Sequence, residues 1–205
     1  MRDMVGKRAT RRDMRREATK AAVLEAAEAV FLEQGFEGAT IKAIADQAGV
    51  SPGTVLNAEP TKAALLVAIL RTEREQIAES AEQLEMTLSG SSLDRLGAIL
   101  QLMLDGHLRH TELFAAALGY RWLDGRSGFQ DAFEQLDFVW DPVRRVLSAG
   151  VESGELRAGL DLEAALCVVA EVFYSALREG VRDGDADPRA ALTSRMNVVA
   201  AGLKA

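Results

Sequence analysis

Few residues in this chain have the type and spacing to do chemistry. His107 and His110 lie three apart with Asp105 and Glu112 nearby, and one helix would turn both imidazoles to the same side. No cysteine stands beside them and a helix junction is expected close by, so they read as a surface or pocket pair; neither a metal nor a cofactor is expected. Cys167 is the single cysteine and forms no internal disulfide. There is no nucleophile elbow and no glycine-rich phosphate loop, so no catalytic set is recognisable and enzymatic activity is not expected. What does gather is a group of hydrogen-bond donors, Thr40, Ser51, Thr54 and Asn57 with Lys42, around the small turn residues Pro52 and Gly53. Arg11, Arg12, Arg15 and Arg16 stand upstream of them. Hydroxyls, amides and cations of this kind bind phosphate oxygens and base edges.

The elements that would position them are two short helices and a tight turn. Ile41, Ile44, Ala45 and Ala48 recur at spacings of three and four and form an apolar stripe, while Lys42, Asp46 and Gln47 face out. Gly49 can take the left-handed conformation that ends a helix, and Val50 can fold back on the stripe. Ser51 is a helix N-cap and Pro52 suits the first helical position, so residues 40–57 read as a helix-turn-helix. Charge follows the same division. The chain carries −7 overall, but residues 1–20 hold eight Lys/Arg against three acids, which makes a basic arm at +5 before a body at −12. A basic patch beside a helix-turn-helix is the electrostatic footprint of DNA binding; the bland alternative is a solvated tail.

Further along, helical spacing persists throughout and predicts an all-α chain of about nine helices. Helix one runs from about Met14 to Gln34, and Gly35 ends it. Pro60 breaks the chain before Thr61, which caps a fourth helix from about Lys62 to Leu88. After Ser92, read as a cap, helix five covers Leu93 to His107 and helix six Thr111 to Trp122. Residues 124–128 read as a loop. A seventh helix from Phe129 to Ser153 bends at Pro142, an eighth spans Leu162 to Val181 and a ninth about Arg189 to Leu203. This divides the chain into residues 1–60, the arm and helix-turn-helix, and 61–205, a domain for ligand binding and dimerisation. Composition is globular, with 48% hydrophobic and 27% charged residues, and no apolar run is long enough to span a membrane. With no apolar signal segment at the N-terminus, a cytoplasmic protein is expected.

The eighth helix carries two adjacent apolar stripes, more than one core can easily cover. Leu166, Val169 and Phe173, with Met196, Val199 and Leu203 of the ninth, are therefore expected to pair with their copies in a twofold dimer. An effector site is expected among the aromatic and polar residues of the larger domain: Met103, His107, Tyr120, Phe133, Trp140 and Tyr174.

From Ala21 to Leu66 the chain resembles the N-terminal domain of the TetR family of bacterial transcriptional repressors. The resemblance rests on Ala26-Ala27, Phe31, Gly35-Phe36, Thr40, Ile44-Ala45, Ala48-Gly49-Val50-Ser51, Gly53-Thr54-Val55, Lys62 and Leu65-Leu66. It implies a homodimer that binds a palindromic double-stranded operator and is released by a small apolar or amphipathic effector, with Lys62 on a phosphate. Three residues depart from the family's pattern: Leu56 where Tyr is usual, and Ala58 and Glu59 where aromatic rings are. Glu59 brings a negative charge that could face DNA. Two readings follow: a working module with altered contacts, or a small-molecule-binding or protein-interaction dimer whose helix-turn-helix is degenerate.

Overall fold

The computed structural model describes residues 10–123, 136–182 and 185–204; of Leu118 and residues 120–123 it describes the backbone only. Phe133, the 124–128 loop, the start of the expected seventh helix and the arm's Arg2, Lys7 and Arg8 lie outside the described residues, as does the side chain of Tyr120. Among the described residues there are nine α-helices and one 3-10 turn. The helices are α1 (Arg11–Gly38), α2 (Ile41–Ala48), α3 (Pro52–Ala58), α4 (Lys62–Thr87), α5 (Ser92–Leu108), α6 (Thr111–Leu123), α7 (Asp141–Glu152), α8 (Leu162–Arg182) and α9 (Pro188–Leu203). The 3-10 turn, Asp137–Trp140, precedes α7. The described residues contain no strand, only a single antiparallel bridge between Leu156 and Lys204. No helix is long and apolar enough to cross a membrane.

The chain divides into two compact units, Met1–Ile69 and Leu70–Ala205, with the division inside α4 rather than at Pro60. In the first unit Val23, Ala27, Val30, Phe31, Ile44, Ala45, Val55, Leu65 and Leu66 are buried and form the core. Helix α1 begins earlier than its apolar spacing predicts. Thr10 and Asp13 make a reciprocal capping box, and the Thr10 N–H and hydroxyl hold the Asp13 carboxyl below its usual range. Arg11 to Arg16 are consequently helical and exposed, not a separate tail. Near its other end Gly35 has φ +70, a break that only glycine takes without strain.

In the second unit two starts differ from expectation. Ser91, not Ser92, caps α5, again through a box with Asp94. Pro142 sits in the first turn of α7, where its missing N–H has no partner to lose, so it starts a helix instead of bending one. Helix α5 lies close to α4 because Gly106 has no side chain: a Cβ there would come within 2.5 Å of Ile77 Cγ1. Arg145 of α7 adds ion pairs to Glu85 and Glu82 of α4, and Arg189 of α9 pairs with Asp105 of α5.

Candidate nucleic-acid interface and effector region

The turn of residues 40–57 is built as its sequence dictates. The Thr40 hydroxyl accepts from the Ala43 N–H and starts α2. Gly49 is left-handed at φ +65, and the Val50 N–H donates to the Ala45 carbonyl, closing the C-terminus. Ser51 Oγ accepts from the Thr54 N–H and shares a 2.9 Å hydrogen bond with the Thr54 hydroxyl. Val55 is fully buried and fixes the rotation of α3, so Pro52, Gly53, Leu56 and Asn57 are exposed. At Gly53 an added Cβ would meet only Ser51 Oγ, at 3.8 Å. Packing within the unit therefore places no demand for glycine there, and its small size leaves room for the close approach of an outside partner.

Helices α1 and α3 lie side by side, and an open cleft of about 320 Å³ between them is lined by Arg15, Arg16, Lys20, Thr54 and Asn57, with the acid Glu17 among the cations. The structure thus brings arm cations and recognition-helix donors onto one surface. Arg11 and Arg12 continue α1 one turn earlier, exposed. Lys42 is spent locally, in a 2.6 Å ion pair with Asp46.

Two residues differ from what the family pattern implies. Lys62 Nζ donates to the Glu37 and Ala39 carbonyls at 3.1 and 3.0 Å and lies 4.6 Å from the centre of the Phe36 ring. It satisfies carbonyls left open at the end of α1, a role inside the unit. Glu59 pairs with Lys20 of α1 at 2.8 Å, its side chain mostly covered. Its charge is neutralised at the α1–α3 junction and is not presented to a phosphate.

In the second unit four of the six expected effector residues come together. Met103, His107, Trp140 and Tyr174 are all buried around Phe173, whose ring lies 5.2 Å from His107, 5.3 Å from Trp140 and 5.6 Å from Tyr174. The His107 imidazole stacks at 4.3 Å on Phe114, and its Nδ1–H donates to the Met103 carbonyl at 2.7 Å. With Nδ1 protonated, Nε2 is a bare acceptor, and it has no hydrogen-bond partner. Burial, reinforced by the nearby Arg74 charge, pushes this histidine down to about 3. His110 goes elsewhere, to Glu73 at 3.5 Å, so the two histidines share no site. Sequence reading missed Arg74 itself. Buried on α4, it donates to the Leu136 carbonyl at 3.2 Å and to the Tyr174 hydroxyl at 3.3 Å. The signal was available, since Arg74 interrupts the apolar row of Leu66, Leu70, Ile77 and Ala81. Trp140 and Tyr174 also line a cleft of about 160 Å³ with Arg144, Leu166 and Cys167.

The expected dimer stripe requires correction. Leu166, Val169, Phe173, Met196 and Leu203 are buried within a single chain, and Val199 is half-exposed. The outward residues are one position away: Val168 is 51% exposed and Val198 77%. They flank an apolar groove of about 290 Å³ with Ala164, Val199 and Gly202.

A helix-turn-helix whose recognition helix shares a cleft with basic residues, joined to a second helical unit with its own aromatic core, defines a DNA-binding transcriptional regulator. Similarity to known proteins narrows the class further. Residues 23–69 match the model of the bacterial regulatory proteins of the tetR family. The chain is 29% identical over 171 residues to the HTH-type transcriptional regulator SrpR of Pseudomonas putida, covering 82% of this chain and 78% of that one. It is 28% identical over 166 residues to the HTH-type transcriptional repressor AcnR of Corynebacterium glutamicum, covering 77% and 81%. Its fold matches that of Thermus thermophilus FadR, a TetR family repressor solved with lauroyl-CoA, with a TM-score of 0.74 at 24% identity over 88% of this chain and 92% of that one. The family-model match and these relatives support a TetR family transcriptional regulator.

Proposed function

We propose that the protein is a repressor that binds a palindromic operator as a twofold dimer and leaves it when a small apolar or amphipathic effector binds the second unit. The observation that carries the DNA reading is the shared α1–α3 cleft: Arg15 and Arg16 supply the phosphate-directed charge, and Thr54 and Asn57 supply donors for the groove between phosphates. Asn57 is suited to bidentate contact with adenine. The pairing of Glu59 with Lys20 supports the working module over the degenerate one as far as Glu59 is concerned.

Dimerisation is supported by Val168 and Val198, large apolar side chains in water beside a groove that the same face of a second copy would fill. The effector region is supported by the buried polar group of Arg74, Tyr174 and His107 within aromatic walls, a combination of apolar lining and few polar anchors typical of small-molecule sites. An effector shifts the equilibrium only by its difference in affinity for the DNA-binding and non-binding states. A mobility-shift assay with DNA flanking the protein's own gene tests the proposal: a discrete complex that competitor DNA of scrambled sequence does not displace is expected, and equal displacement by scrambled DNA would overturn it.

A further inference from the structure

Leu56 is the large apolar side chain that α3 turns to solvent, 45% exposed, while Val55 beside it is fully buried. Burial of Val55 fixes the helix's rotation, so the exposure of Leu56 is not a matter of which way the helix happens to roll. On the outward face, Pro52 and Gly53 extend little and the second turn carries the two longer side chains, Leu56 and Asn57. Neighbours on a helix are about 1.5 Å apart along the axis. They are also about 100° apart around it, so Leu56 faces a base step beside the one Asn57 reaches, on the part of α3 that does not line the cleft with α1. The cations of Arg15 and Arg16 line the cleft on the Asn57 side, so a duplex drawn to them brings its groove edge, not a protein surface, against this turn. In the major groove the apolar feature a leucine can cover is the 5-methyl group of thymine.

We propose that Leu56 is a specificity-determining residue that packs on a thymine methyl in each operator half-site, next to the base edge read by Asn57. The inference rests on the DNA-binding reading above and adds a base to it. Leucine cannot donate to a phosphate, so its contribution is desolvation of two apolar groups, one on each partner. The side chain is 45% exposed in the free protein, so its truncation is expected to leave the fold intact.

The test uses the full-length protein and a duplex obtained by selection from a random double-stranded library. Each thymine of the selected site is replaced singly by uracil, which removes only the methyl group. One thymine in each half-site is expected to weaken binding about fourfold on replacement, the equivalent of one methyl group's burial. Leu56→Ala is expected to weaken binding to the thymine operator by a comparable factor and to bind the thymine and uracil duplexes equally. Leu56→Met, which keeps apolar bulk, is expected to retain the discrimination. Sequence-selective binding with no uracil-sensitive position, or a uracil effect that persists undiminished in Leu56→Ala, would overturn this inference and leave the DNA-binding reading standing. Failure of selection to enrich any sequence would overturn that reading, and this inference with it.

Discussion

His107 makes the stability of the second unit depend on pH in a direction and amount that follow from its surroundings. It is fully buried against Phe114 and Phe173, beside the Arg74 guanidinium, and its pKa lies at about 3 against an ordinary 6.5. The unfolded chain takes up a proton at this residue as pH falls through 6.5, whereas the folded chain stays neutral down to about 3. Stability is therefore unaffected above 6.5 and falls below it, by roughly 1.4 kcal/mol per pH unit. Between pH 8 and pH 5 the loss is about 2 kcal/mol, growing to about 3 kcal/mol at pH 4. Carboxylates titrate in the same range, so the measurement is a difference: urea unfolding of the wild type and of His107→Leu at pH 8, 6, 5 and 4, with protein concentration held fixed because the apparent stability of any self-associating protein depends on it. Leucine keeps most of the bulk and does not titrate. The stability gap between the two proteins is expected to move in favour of the variant by about 2 kcal/mol from pH 8 to pH 5. Parallel pH profiles would show that the folded state accommodates the proton, and the account of a buried, cation-flanked histidine would be wrong.

Other consequences follow from the same structure. Arg15→Ala with Arg16→Ala should reduce the slope of log affinity against log salt by roughly 0.9 for each phosphate no longer neutralised; an unchanged slope in filter binding would place both side chains off the DNA. Gly53→Ala should leave the melting temperature the same or higher, since alanine is favoured over glycine in a helix by up to about 1 kcal/mol, yet weaken operator binding; a stable variant with full affinity would remove the close-approach argument. Val168→Asp and Val198→Asp should each give folded monomer by light scattering and circular dichroism, whereas Phe173→Asp should fail to fold; intact dimer from both valine variants would move the interface elsewhere. The Lys20–Glu59 pair should show a coupling of about 0.5–1 kcal/mol in a double-mutant stability cycle, modest because Lys20 is 41% exposed, and additive single variants would deny the pairing.

What could be read from the sequence was local. Gly49, Ser51 and Pro52 act within one turn of themselves, so the helix-turn-helix followed from residue types alone. Spacing located every described helix, but it could not say which of two adjacent stripes on α8 faces inward. Leu166 and Phe173 went to the chain's own core and Val168 to solvent because of where α5, α6, α7 and α9 pack against α8, a fact absent from a single helix's pattern. Pairings distant in sequence were likewise hidden. Glu59 seemed a charge against DNA until Lys20 stood beside it, and Lys62 seemed free for a phosphate until the end of α1 claimed it. Arg74 shows the opposite case, a cation in an apolar row that was visible but unweighed.

The central claim is that the α1–α3 surface reads an operator. Fluorescence anisotropy of a labelled selected duplex against a scrambled one, across a salt series, tests it most directly. The account predicts that the selected duplex binds at least about a thousandfold more tightly, in line with specific DNA-binding proteins, and that both affinities fall steeply with salt. Equal affinity for the two duplexes at every salt concentration would contradict it.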